Sequence, residues 1–125
     1  MAFDKRISKE EAYLYIKTAE SLTYRQLCLL VIFADPANTN PFGLRQSDYR
    51  GAGGSFPFEF IALLQEIYDL FKRGLLGMND DTMLGLTDVN PSKLKTQGSG
   101  IILIRSMELI NLPIDDLESI INLLK

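Results

Sequence analysis

The chain has 125 residues, of which 46% are hydrophobic and 23% charged, with a formal net charge of −3. That length and balance fit one folded domain with a real core, not a disordered chain. There is no histidine and a single cysteine, which excludes Ser-His and Cys-His nucleophile pairs, histidine- or thiolate-built zinc sites and an intrachain disulfide.

The N-terminal MAFDKRISKEE is charged and lacks an apolar centre, so it does not read as a secretory signal. The longest apolar runs fall well short of the roughly 20 residues needed to cross a bilayer. With one cysteine, a reduced, cytoplasmic setting is expected. Ser8 is followed three residues later by Glu11, and Thr23 by Gln26. Each pair has the form of a capping box, in which a hydroxyl takes a first-turn N–H and the Glu or Gln reaches back. Helices are therefore expected over 9–20 and 24–34. The first sets Ala12, Tyr15, Ile16 and Ala19 on one face; the second is apolar nearly all round and reads as the central buried helix. Asp35-Pro36 ends it.

A short helix of two turns is expected over 44–50. GAGGS, 51–55, is a backbone joint. Ser55 is placed as the N-cap of a long helix reaching Arg73, with Pro57 tolerated in its first turn. Phe60, Leu63, Leu64, Ile67, Leu70 and Phe71 form its apolar face, and Gly74 is the C-cap. Helical spacing then stops. Short strands are expected over 75–78, 83–86 and 93–97, with turns at 79–81 and 88–92. Helical spacing returns over 101–109, with Ser99 as N-cap. Pro113 opens a last helix running through Leu124, with Asp115, Asp116 and Glu118 near its positive end.

Three stretches carry a resemblance. LTYRQLCLLVIFA resembles the opening helix of winged helix-turn-helix domains. LLQEIYDLFKRGLLG resembles the second helix of that motif, which runs into a Gly-Leu turn and the wing. LKTQGSGIILIRSMEL resembles the last wing strand and the helix after it, as in MarR-like regulators. The resemblance implies a mainly α, winged-helix-like single domain over 1–125, with one small β-hairpin and extra helices at both termini.

The residue patterns point away from catalysis. GAGGS is followed by FPFEF, not by the Lys and Ser/Thr that a phosphate-binding loop requires, and no strand precedes it as in a dinucleotide fingerprint. Cys28 lies among leucines and reads as a small core residue. The pairs Asp80-Asp81 and Asp115-Asp116 are too few oxygens for a metal and read as a turn and as helix N-terminal charge. No convergent acid, base, nucleophile or metal set appears, so no catalytic residue, metal or cofactor is expected.

Two functions from different classes remain open. Ile114, Leu117, Ile120, Ile121 and Leu124 spread over more than a narrow stripe of the last helix, which marks a protein or self-association interface. Alternatively, Arg45 and Arg50 beside the glycine joint, and Lys93 and Lys95 on the wing, meet DNA phosphates while the long helix enters the major groove. Against this, the long helix exposes Glu59, Gln65, Glu66 and Asp69, and the whole chain is acidic; a DNA-binding domain usually carries a basic footprint. The non-catalytic interaction module is the preferred reading, with DNA-binding regulator as the alternative.

Overall fold

A computed structural model describes residues 8–34, 40–50, 56–78, 83 and 85–125. Its helices are α1 (Lys9–Glu20), α2 (Tyr24–Ile32), α3 (Phe58–Lys72), α4 (Ser99–Ser106) and α5 (Ile114–Leu123). Between α3 and α4 lie the strands β1 (Leu76–Met78) and β2 (Leu94–Thr96). They form a two-stranded antiparallel sheet that pairs Leu76 with Thr96, Gly77 with Lys95 and Met78 with Leu94. The domain is mainly α with one small β-hairpin. Short 3-10 turns occupy Leu86–Asp88, Pro91–Lys93 and Leu109–Asn111.

Helix α2 is the hub, and its start is fixed by a complete capping box. The Thr23 hydroxyl accepts the Gln26 N–H at 3.1 Å, and the Gln26 side chain accepts the Thr23 N–H at 3.0 Å. Gln26 is buried, and its amide nitrogen also donates to the Glu66 carbonyl of α3 at 3.2 Å, so both the oxygen and the nitrogen of this side chain have a partner. Cys28, Leu29, Leu30, Ile32 and Phe33 are almost wholly buried, as expected for an all-round apolar helix.

The end of α2 carries the sheet. The last carbonyls of a helix have no intrahelical donor. Thr96 supplies two: its N–H donates to the Phe33 carbonyl at 3.0 Å and its hydroxyl to the Leu30 carbonyl at 2.6 Å. Helix α3 ends in a Schellman turn. Gly74 sits at φ +77, its N–H donates to the Phe71 carbonyl, and the Leu75 N–H reaches back to the Leu70 carbonyl. Glycine adopts that left-handed conformation without the Cβ penalty. The turn delivers the chain directly into β1.

Several expectations are corrected. The segment 44–50 forms bends and turns, not a helix. Its backbone is claimed by distant partners: the Arg45 N–H donates to the Leu124 carbonyl at 2.8 Å, the Ser92 N–H donates to the Arg45 carbonyl at 3.0 Å, and the Tyr49 N–H donates to the Thr87 carbonyl at 2.8 Å. The strand expected over 83–86 is not formed; Met83 is irregular and Leu86 opens a 3-10 turn. Only half of the first capping box exists, the Ser8 hydroxyl accepting from the Glu11 N–H. The N-cap of α4 is Gly98, at φ +55 and ψ −130, with Ser99 inside the helix. The N-cap of α3 is Pro57, which makes no side-chain cap. Asp35-Pro36, the GAGGS joint with Ser55, and the turn at 79–81 lie outside the described residues.

Candidate functional site

The five apolar residues of the last helix do not form an open surface. Leu117, Ile120 and Ile121 are buried, and Leu124, just past the helix end, is fully so. Helix α5 lies against α2, and α2 presents apolar side chains all round, so it covers a stripe broader than usual. Of the five, only Ile114 is exposed. The first turn of α5 is tied down by Asp116, whose carboxylate accepts from the Tyr24 hydroxyl at 2.5 Å.

The four candidate phosphate contacts separate into two kinds. Arg45 stacks 4.5 Å over the Tyr49 ring and donates to the carbonyls of Ser47 and Asp48. Arg50 is ion-paired with Asp48 and with Asp88, which also holds the Asp48 carboxyl below the usual carboxylate range. Both arginines therefore brace the turns of 44–50. Lys93 and Lys95 have no ion pair among the described residues. Lys95 projects from β2 into a groove of about 450 Å³ that it shares with Arg105 of α4, a residue the sequence reading did not single out. On α3, Glu66 is not a free surface carboxylate either. It accepts from the Thr23 hydroxyl and pairs with Arg25.

The exposed apolar surface lies elsewhere. Helix α1 fully buries only Ala19. On its opposite face Tyr13 and Leu14 are 62% and 60% exposed. Glu10 and Lys17 stand exposed on the same face, one turn to either side of that pair. Lys17 lies 5.3 Å over the Tyr13 ring and 3.7 Å from Glu20. Other exposed apolar residues are Phe58 and Ile61 on α3, Ile101 on α4, Ile110 between α4 and α5, and Ile114 and Leu123 on α5.

Cys28 is 1% exposed, and burial pushes its thiol above the ordinary value. That is the reverse of what an attacking thiolate requires. Among the described residues no group of three or more His, Cys, Asp or Glu side chains is placed to hold a metal ion, and no helix is long and apolar enough to cross a membrane. No protein-family model matches the chain, and no curated protein or solved structure shows significant similarity to it.

Proposed function

We propose that the chain is a non-catalytic interaction module of the cytoplasm that pairs with a second copy of itself through the outer face of α1. The observation that carries this reading is the mismatch between the length of α1 and its burial. A 12-residue helix is marginal in water on its own, and most helical stability comes from packing an apolar face. Yet α1 buries one residue and turns a tyrosine and a leucine outward.

A second copy is the occupant that the charges favour. In an antiparallel pair with its two-fold axis between Tyr13 and Leu14, the Tyr13 of one copy meets the Leu14 of the other. Glu10 then meets Lys17 on each side, so the patch is self-complementary, as a two-fold interface requires. Two helices of this length bury less than the roughly 1,200 Å² of a standard interface, so the pair belongs with the weak, transient ones.

Light scattering over a concentration series tests the proposal. The apparent mass rises from the 14.1 kDa chain toward twice that value. Leu14→Asp, at an exposed position that leaves the circular dichroism unchanged, holds the mass at the monomer. A wild type that stays monomeric up to about 1 mM, where even an association of roughly 4 kcal/mol shows, or a Leu14→Asp variant that associates equally well, refutes it.

A further inference from the structure

We infer that the groove between the end of α2, β2 and α4 is a binding site for a small amphiphilic carboxylate, meaning one carboxyl group on an apolar body. The groove has a volume of about 450 Å³, within the 300–1,000 Å³ range usual for small-molecule sites. Its lining combines apolar Ala34, Ile101 and Ile104 with polar Lys95, Thr96, Gln97 and Arg105. This site is independent of the α1 pairing.

Two observations together point to this ligand. First, the lining holds two cations, Lys95 and Arg105, with no ion pair among the described residues. The other described arginines are all engaged: Arg25 with Glu66, Arg50 with Asp48 and Asp88, Arg73 with the Ser21 hydroxyl, and Arg45 over Tyr49. Like charges facing one concavity repel each other, and an anion relieves that repulsion. Arg105 adds a planar fork that fits a carboxylate in two-point fashion.

Second, the apolar part of the lining leaves surface in water that a purely ionic ligand does not cover. Ile101 is 45% exposed, although it belongs to a helix whose other side is sealed by Leu103. Covering it gains the ordinary hydrophobic increment. A bare inorganic anion satisfies the two cations and leaves the apolar lining uncovered, while an alcohol does the reverse. An alkyl carboxylate satisfies both.

The groove is also held rigid. Thr96 is bolted to the carbonyls of α2. The start of α4 is pressed so close that a Cβ at Gly100 would lie 2.7 Å from the Thr96 methyl and 2.8 Å from the Leu75 carbonyl. The two cations are therefore carried by elements fixed to each other, which lowers the ordering cost of binding.

The experiment is an amide chemical-shift titration of the full chain with octanoate, octanol and inorganic phosphate. Octanoate shifts the amides of 95–97 and 101–105 and saturates with Kd on the order of 0.1–1 mM, the scale set by a ligand of this size. Octanol and phosphate each bind at least about tenfold more weakly. The Lys95→Gln/Arg105→Gln variant, both at solvent-facing positions, weakens octanoate by about tenfold or more and keeps the wild-type spectrum elsewhere. Ile101→Asp does the same from the apolar side. Three results overturn the inference: no shifts confined to the groove up to about 10 mM, octanol or phosphate binding as tightly as octanoate, or a double variant that binds octanoate like the wild type.

Discussion

The Tyr24 hydroxyl donates to the Asp116 carboxylate at 2.5 Å and so joins the first turn of α2 to the first turn of α5 across 92 positions of sequence. The hydrogen bond to Asp116 is the main reason the phenol is pushed up to about 12. The neutral phenol is the donor, and ionising it loses the bond and sets two negative charges side by side.

A pH dependence follows. The folded protein holds the Tyr24 proton above the point where the unfolded chain, with an ordinary tyrosine near 10, has lost it. The stabilisation is complete below about pH 10 and falls away as pH rises toward 12. Denaturation curves over that window show the loss in the wild type. Tyr24→Phe flattens this part of the slope, and an unchanged slope contradicts the assignment.

Gly100 and Gly77 make a matched pair of tests. A Cβ at Gly100 meets backbone, the Leu75 carbonyl at 2.8 Å, and a packed methyl of Thr96. At Gly77 it meets only the end of the Gln97 side chain, which can swing away. Gly100→Ala is expected to cost about 1–3 kcal/mol despite the better helix propensity of alanine. Gly77→Ala is expected to cost clearly less. Urea unfolding of the two variants side by side decides it, and equal losses contradict the packing described for α4.

Tyr49 is 6% exposed, and its hydroxyl has no hydrogen-bond partner among the described residues. Its ring makes edge contacts with Phe56 and Phe60 at 5.9 and 5.1 Å. Tyr49→Phe keeps those contacts and removes a buried polar atom without a partner. The expected outcome is a gain of up to about 1 kcal/mol, read as a higher midpoint in thermal unfolding. A loss of stability shows that the hydroxyl is satisfied after all.

The main elements were legible where the signal is local. Thr23 and Gln26 announce the start of α2 by a reciprocal bond across three residues, and Gly74 announces the end of α3 by a conformation that suits glycine. The turns of 44–50 were not legible, because what holds Arg45 extended is the backbone of Leu124 and Ser92, far away in the chain. The last helix was misread for a related reason. The breadth of its apolar surface is visible in the sequence, but whether α2 or solvent covers it is a tertiary fact. The same holds for Lys95 and Arg105, which share a groove only because Thr96 and Gly100 bring β2 and α4 together. The exposure of Tyr13 and Leu14 was legible by elimination: with Ala12, Tyr15, Ile16 and Ala19 on the inward face, these two point away from the core, and the structure leaves them exposed.

The central claim, pairing of two α1 helices about the Tyr13–Leu14 midpoint, is tested most directly by exchanging its charges. Sedimentation equilibrium is run on the wild type, Glu10→Lys, Lys17→Glu and the double variant carrying both. Each single change sets like charges against each other twice in the two-fold pair and weakens association by about tenfold or more. The double variant recreates opposite charges across the axis and regains at least most of the lost association. It does so although both substitutions oppose the dipole of α1, which by itself weakens the helix. Recovery in the double variant is the result the account predicts; a double variant no better than the single ones, with α1 still helical by circular dichroism, contradicts it.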